Sequence, residues 1–363
     1  MFEKYIFLPL KWWQEIRIFA RISGMKHRLA ALALILITLI MNAKENFVDF
    51  VNPKIGGISH LLVPTFPNVQ LPNSFVRFYP IRYGLANVKI ESFPLTVASH
   101  RGGGVFRFAP LSKDIKSAIL NYSFDCEKSA PHFYEVFLDE HEISLSFSPS
   151  AMGGIFNLKF GENCEVCKVA LNSRNGEIKC TPQGEICAGE SYTFIRGTPA
   201  KIYLYARFDK TPKSVEISKD SEGQSAFFTF GKSDSDLNFK YALSLISEEQ
   251  AKANFEAQIQ GKSLEDLKLA AAKIWNETLG KIEVSGGGEK AIEMFYTSLY
   301  RAFERMVKVS ESGKYYSACD GKIHESQGFD FYVDDWAWDT FRCQHPLMAI
   351  LTPKPSATKL FPT

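Results

Sequence analysis

Acidic and aromatic side chains crowd together in residues 320–347, DGKIHESQGFDFYVDDWAWDTFRCQHPL, called here the acidic–aromatic stretch. Flat rings stack on the apolar faces of sugars, whereas carboxylate and guanidinium groups hydrogen-bond the hydroxyls around their rims. The aspartates are Asp320, Asp330, Asp334, Asp335 and Asp339, and the rings among them are Phe329, Phe331, Tyr332, Trp336 and Trp338. This combination of residue types is compatible with a carbohydrate site.

A helix is expected to begin inside the stretch, because Asp335 is a suitable N-cap and the apolar residues from Trp336 continue from it. Trp338, Asp339 and Arg342 would then lie in the first two turns, near the positive end of the helix. A plainer interpretation is an aromatic helix start in the core, with an Asp339–Arg342 salt bridge at i, i+3. Chemistry alone favours this plainer interpretation.

The elements that must position these residues fall into two patterns. Short runs of period-two alternation, punctuated by Gly, Pro, Asn and Asp, recur over residues 47–246, for example at 132–138 and 226–230. Many short strands at such spacing predict a β-sandwich. The period changes to 3.6 at Ser247, which predicts helices from there on.

Residues 247–288 are expected to form a helical linker. Ser247-x-x-Gln250 and Ser263-x-x-Asp266 resemble capping boxes at the start of two helices, and Gly280 is expected to end the second. The apolar face predicted for that helix consists of Leu264, Leu267, Ala270, Ala271 and Ile274. A third amphipathic helix follows, whose apolar stripe is Ile292, Phe295, Tyr296, Leu299, Phe303 and Met306.

Residues 1–43 are interpreted as an N-terminal extension followed by a signal or anchor segment. Met25-Lys26-His27-Arg28, an apolar run over 29–41 and Ala43 have the order of a secretory signal that starts near Met25. The protein is therefore expected to be exported to a periplasmic, cell-surface or secreted location. An uncleaved membrane anchor is the alternative, although the run is shorter than the ~20 residues of a spanning helix.

Cysteine usage leaves several chemistries open. The chain has seven cysteines, so at least one has no intrachain disulfide partner. Cys164-x-x-Cys167 followed by Cys180 and Cys187 could bind zinc, but the second pair has the wrong spacing for a zinc ribbon. Two disulfides, or plain thiols on a β-rich surface, fit the spacing better.

Charge excludes one class of partner. The net charge of the 363 residues is +2, without the basic excess of a nucleic-acid-binding protein. A nearly neutral chain with 13% aromatic residues suits an uncharged ligand such as a glycan.

Three segments resemble glycoside hydrolase family 92, the calcium-dependent exo-acting α-mannosidases. The first is the acidic–aromatic stretch itself, with DGKIH, GFDFY and WDTFRCQHPL. The second is the block VNP, IGG, TFP and LP between residues 51 and 72, and the third is FYTSLYRAF at 295–303. The resemblance implies an N-terminal β-sandwich packed on an (α/α) toroid of six helical hairpins.

The resemblance also implies a function: inverting, exo-acting removal of mannose from glycoprotein glycans. Trp338, Asp339 and Arg342 match the family's sugar-contacting motif, in which the Asp touches the terminal mannose. The family's catalytic acid, base and most calcium ligands lie on later toroid helices. The resemblance therefore assigns no catalytic and no metal-binding residue in this chain.

The helical region is short for a toroid. Twelve helices of about 11–12 residues need at least ~140 residues, whereas 75 residues run from Glu289 to Thr363. Residues 289–363 are therefore expected to be the start of a toroid in a truncated and inactive chain. The block VPTFP at 63–67 also departs from the family's usual GHTFP. The alternative is a non-catalytic carbohydrate-binding protein or a remnant β-sandwich.

Overall fold

The structure is a computed structural model that describes residues 46–58, 65–82, 89–98, 103–181, 184–192 and 200–353. The predicted signal or anchor segment, 1–43, lies outside these residues. The described residues from Phe47 onward belong to one compact unit. None of the helices in the described ranges is long and apolar enough to cross a membrane.

Twenty strands are present in the described ranges. They are β1 Val69–Gln70, β2 Arg77–Phe78, β3 Ile81–Arg82, β4 Lys89–Val97, β5 Gly104–Leu111, β6 Tyr122–Ala130, β7 Phe133–Leu138, β8 Ile143–Pro149, β9 Gly153–Phe160, β10 Cys167–Ser173, β11 Gly176–Cys180, β12 Glu185–Tyr192, β13 Ala200–Phe208, β14 Ser214–Asp220, β15 Gly223–Phe230, β16 Asp236–Ser244, β17 Val307–Lys308, β18 Lys314–Ser317, β19 Lys322–Glu325 and β20 Tyr332–Val333.

Fourteen of the described strands form one large antiparallel sheet. Its order is β11-β12-β13-β16-β9-β8-β7-β6-β4-β5-β10-β15-β14, and β3 pairs with β4. The sheet folds over itself as a sandwich that is nearly closed, and its inward side chains form one continuous apolar core. Burial alternates along β7 because successive side chains of a strand point to opposite faces. The predicted β-sandwich is confirmed.

Aromatic rings fill the centre of this core. Phe78 lies 4.4 Å from Phe147 and 5.4 Å from Phe156, measured between ring centroids. Phe108 stacks on Phe156 at 4.8 Å, and its ring centroid lies 4.8 Å from that of Phe239. These ring contacts join β2, β5, β8, β9 and β16, so the core packs across strands that are not all neighbours in the sheet.

Helices follow the sheet, as predicted. They are α1 Glu248–Gln258, α2 Leu264–Leu279, α3 Glu289–Ala302, α4 Ala337–Thr340 and α5 Gln344–Leu351, with 3₁₀ turns at Phe47–Phe50, Asp139–His141 and Lys232–Asp234. Both serine caps form: Ser247 Oγ accepts from the Gln250 amide at 3.1 Å, and Ser263 Oγ accepts from the Asp266 amide at 3.1 Å. The Asp266 carboxylate completes its box by accepting from the Ser263 amide.

The buried face of α2 is rotated from the predicted one. Leu267 and Ala271 are buried as expected, but Trp275 is fully buried while Ile274 is 38% exposed. The rotation places the indole beside Tyr300, at 5.1 Å between ring centroids, and lets its N–H donate to the Gln70 carbonyl at 2.7 Å. Burying this large ring with its polar group satisfied outweighs burying Ile274.

The opening segment of the described chain packs on α3. The Asn52 amide donates to Thr297 Oγ1 at 2.9 Å. Arg301 donates to the carbonyls of Pro53 at 2.6 Å and Phe66 at 2.5 Å. The VNP block and the FYTSLYRAF helix, far apart in sequence, therefore form one structural unit.

His132 makes stability depend on pH. Its ring is buried, and Nδ1 has no hydrogen-bond partner among the described residues. Burial, reinforced by the nearby Lys268, lowers the pKa of His132 to about 4. The folded protein therefore binds this proton less readily than the unfolded chain does, whose histidine has a pKa of ~6.5. The stability should be fully present above pH 6.5 and fall as pH drops toward 4, by up to roughly 3 kcal/mol.

The variant His132→Phe should remove most of this pH dependence while keeping a ring against Phe133. The free energy of unfolding is measured by urea denaturation at several pH values between 4 and 7. His324→Phe, on the half-exposed β18–β19 hairpin, controls for loss of a histidine elsewhere. An unchanged slope in His132→Phe would assign the pH dependence to other groups.

Candidate functional site

The acidic–aromatic stretch forms the β18–β19 hairpin turn, β19, β20, α4 and the start of α5. Most of its acids are held by partners. Asp320 accepts from His324 Nε2 at 2.9 Å, Asp330 pairs with Lys308 at 2.7 Å, Asp334 with Arg77 at 2.9 Å, Asp335 with His345 at 3.2 Å and Glu325 with Lys314 at 3.5 Å. Asp339 is the sixth acid, and its carboxylate has no hydrogen bond or ion pair within the described residues.

Asp334 anchors the loop before α4 to the sandwich. Its φ of +62° is left-handed, a conformation that Asp tolerates better than most residues. One carboxylate oxygen pairs with the buried Arg77 of β2, and the other accepts from the Trp336 indole N–H at 3.2 Å. Arg77 in turn donates to the Ala98 carbonyl at 2.7 Å. The approach to α4 is therefore tied to rigid strands.

The three predicted sugar-contacting residues lie at the surface around α4. Trp338 is 90% exposed. Asp339 and Arg342 are also exposed, and the Arg342 guanidinium lies 5.4 Å from the Phe341 ring centroid. An exposed ring next to an uncommitted carboxylate, with a guanidinium three residues on, presents the chemistry of a sugar-binding surface.

Two local expectations are wrong. Asp335 is not the N-cap: Trp336 holds that position without a side-chain cap, and Asp335 accepts instead from Thr340 Oγ1 at 2.8 Å. The helix also breaks after Thr340, which places Arg342 in the turn before α5. Within the described residues Arg342 forms no ion pair with Asp339, because its guanidinium lies against Phe341.

Sequence reasoning missed the cationic support of the site. Burial lowers the pKa of Arg305, and the carboxylates of Asp334 and, more weakly, Asp339 oppose that shift. Arg305 therefore lies within electrostatic reach of both acids, next to Arg77. In the sequence, the functional importance of Arg77 is indicated only by the presence of a charged residue in the mostly apolar run 74–80, SFVRFYP.

Four of the seven cysteines form two unlike pairs. Cys164 and Cys167 have their sulfurs 3.8 Å apart. Cys180 pairs in register with Ile186, so its side chain faces the sandwich core, whereas Cys187 faces the cluster around Phe255. In the described part of the chain no three His, Cys, Asp or Glu side chains are grouped to hold a metal. The four cysteines therefore do not form the zinc site considered from their spacing.

Comparison with known families decides the classification. The N-terminal domain of glycosyl hydrolase family 92 matches residues 50–244, which is more than half of the chain, and the catalytic domain of that family matches residues 250–360. The chain belongs to glycosyl hydrolase family 92. The family resemblance identified from the three sequence segments is thereby confirmed. No curated protein sequence matches this family 92 chain.

Solved family 92 structures share its fold. The inverting mannosidase BT2199 from Bacteroides thetaiotaomicron VPI-5482 is 24% identical with a TM-score of 0.75, over 85% of this chain and 46% of that one. The α-mannosidase BT3965 from Bacteroides thetaiotaomicron, in complex with mannoimidazole, is 20% identical with a TM-score of 0.76, over 85% and 47%. The family 92 hydrolase ccman5 is 20% identical with a TM-score of 0.74, over 86% of this chain and 48% of that one. This chain spans about half the length of these relatives.

The calcium implied by family 92 does not fit the described residues. Calcium takes six to eight oxygen ligands, and five of the six acids in the acidic–aromatic stretch are already paired with His, Lys or Arg. The remaining acid, Asp339, cannot form such a site alone.

Proposed function

We propose that this family 92 chain forms part of the mannose pocket of an exo-acting, inverting α-mannosidase that trims glycoprotein glycans. The observation that carries the proposal is the exposed Trp338 ring, followed by Asp339, whose carboxylate has no ion pair within the described residues. BT3965 with its bound mannoimidazole and the inverting mannosidase BT2199 support the ligand class and the stereochemistry, since both share this fold.

Each residue has a separate part in binding. The Trp338 ring stacks on the apolar face of the terminal mannose. The two carboxylate oxygens of Asp339 accept hydrogen bonds from sugar hydroxyls, and Arg342 donates to others. Arg77 and Asp334 hold the loop through the Trp336 indole, so the surface is positioned before the sugar arrives.

We further propose that this chain binds mannose without hydrolysing it. Inverting hydrolysis needs an acid and a base about 6.5–9.5 Å apart. Burial raises the pKa of Glu190 and Glu311, but both are held by hydrogen bonds. Glu190 accepts from the Phe106 amide, and Glu311 from the Leu245 amide and the Asn254 side chain. Both carboxylates are therefore committed to structural hydrogen bonds.

A binding measurement on the full chain tests the proposed site. Asp339→Asn should weaken binding of an α-1,2-linked mannose disaccharide about tenfold or more, since a hydrogen bond to a charged group contributes ~1.5–3 kcal/mol. Trp338→Ala should also weaken it. Dissociation constants come from calorimetry or ligand-observed NMR, and the melting temperature of both variants should be unchanged because both side chains are exposed.

Asp330→Asn is the matched control, because it removes an acid of the same stretch that is paired with Lys308. Equal losses of affinity in Asp330→Asn and Asp339→Asn would show that the weaker binding is a general electrostatic effect and not a direct contact of Asp339 with the sugar. A lower melting temperature with unchanged affinity in Asp339→Asn would give Asp339 a structural role instead.

A non-catalytic carbohydrate-binding protein is the second candidate function. The same exposed ring and single unpaired carboxylate favour it, because sugar binding requires neither a second carboxyl group nor a metal. Either function suits an exported protein, and we propose export through the segment that starts near Met25. Mannose release by the chain would exclude the non-catalytic candidate.

A further inference from the structure

Cys164 and Cys167 face each other across a tight turn, far in the chain from the candidate sugar site. Cys164 lies in the turn between β9 and β10, and Cys167 is the first residue of β10. Their sulfurs are 3.8 Å apart, and the side chains are 6% and 1% exposed. A disulfide has an S–S distance of about 2.05 Å, so a side-chain movement of under ~2 Å would join them.

Backbone hydrogen bonds hold this turn in place independently of the thiols. The Ser112 carbonyl accepts from the amides of Glu165 at 3.0 Å and Val166 at 3.2 Å. The Cys164 amide donates to the Gly161 carbonyl at 3.2 Å. Because these bonds do not use sulfur, the two side chains stay apposed whether the sulfurs are reduced or joined.

The other cysteine pair suggested by the sequence cannot be joined in this fold. Cys180 and Cys187 lie on neighbouring strands β11 and β12, but their side chains project from opposite faces of the sheet. A bond between them would require breaking the strand register. Cys126, Cys319 and Cys343 are exposed thiols.

We propose that Cys164 and Cys167 form an intrachain disulfide when the chain encounters a disulfide oxidant such as oxidised glutathione. The Cys164 thiolate attacks one glutathione sulfur, which forms a mixed disulfide and releases one reduced glutathione. The Cys167 thiolate then attacks Cys164 Sγ, which forms the Cys164–Cys167 bond and releases the second. Two protons leave the thiols, and two electrons pass to the oxidant.

Burial affects the rate of this reaction. It raises the pKa of Cys167 to about 12, and it also raises the pKa of Cys164. Few thiolates are therefore present in the folded chain near neutral pH, and the thiolate is the reacting form. Oxidation should be faster during folding, before the turn is buried, or at alkaline pH.

The test uses the full reduced chain, oxidised in two ways. One sample is refolded in a glutathione redox buffer, and a second is incubated folded with oxidised glutathione at pH 9. Both are then denatured, alkylated with iodoacetamide and analysed by intact mass and peptide mapping. We expect a loss of two hydrogens, alkylation of five of the seven cysteines, and one linked peptide that contains Cys164 and Cys167.

Variants separate this pair from the others. Cys164→Ser should show six alkylated cysteines and no disulfide, whereas the double variant Cys180→Ser, Cys187→Ser should keep the Cys164–Cys167 bond. A reductant should lower the melting temperature of the oxidised wild type by a few degrees but leave that of Cys164→Ser unchanged. Alkylation of both Cys164 and Cys167 in both oxidised samples, or a disulfide between other cysteines, would overturn the proposal.

Discussion

Incubated with an α-1,2-linked mannose disaccharide and calcium, the full chain is expected to release no mannose above the protein-free blank. Inverting hydrolysis needs one carboxyl group to protonate the leaving oxygen and another to activate water. The acidic–aromatic stretch offers one unpaired carboxylate, that of Asp339, since its other five acids are paired. General acid–base catalysis contributes about 10²–10⁴-fold for each group, so turnover should lie at least ~10⁴-fold below that of a complete mannosidase.

The assay follows free mannose by chromatography over many hours, beside an active α-mannosidase as positive control. Asp339→Ala is run in parallel, because contaminating activity would survive that substitution. Mannose release that disappears in Asp339→Ala would show that a complete active site exists in this chain, and it would favour the enzyme over the non-catalytic binding protein.

Replacing Trp275 by alanine should lower the free energy of unfolding by roughly 3–5 kcal/mol. The indole is fully buried between α2 and α3, where it packs beside Tyr300. Its N–H also donates to the Gln70 carbonyl at 2.7 Å, and the loss would leave that buried acceptor unpaired. Since stabilities of domains are typically 5–15 kcal/mol, a large share of the stability depends on this ring.

Urea denaturation monitored by far-ultraviolet circular dichroism gives the free energy of unfolding for each variant. Ile274→Ala is the matched control, because the neighbouring side chain on the same helix is 38% exposed and should cost far less. Trp275→Phe keeps most of the ring but removes the N–H, which isolates the hydrogen bond to Gln70. Equal losses in Trp275→Ala and Ile274→Ala would contradict the rotated helix face.

Local chemistry explains which predictions are confirmed. The serines at 247 and 263 cap α1 and α2. Each hydroxyl accepts a hydrogen bond from the unpaired backbone amide three residues later, so the cap forms without any residue from a distant part of the chain. Period-two burial in strands such as β7 follows from backbone geometry alone. The opening block and the α3 helix were identified separately, and the structure adds that Arg301 joins them.

Competition between distant partners explains the errors. Asp335 has the residue type of an N-cap, but Thr340 and His345 compete for its carboxylate, and the helix begins without it. Ile274 fits the apolar face of α2 by spacing, yet Trp275 occupies the core. The Gln70 carbonyl accepts a hydrogen bond from its indole N–H, and the Tyr300 ring packs against it, although these residues lie 205 and 25 positions away in the sequence.

The fold class, the family and the residue types of the candidate sugar site follow from the amino-acid sequence, because alternation, capping and short motifs are local properties of a chain. Which of these residues remain available depends on the tertiary structure. It pairs Asp320, Asp330, Asp334 and Asp335 with His, Lys or Arg side chains, and among the described residues it leaves Asp339 without an ion pair. It also apposes Cys164 with Cys167 while separating Cys180 from Cys187. Each outcome depends on strand register and on contacts between distant segments, which the spacing of residues along a chain does not specify.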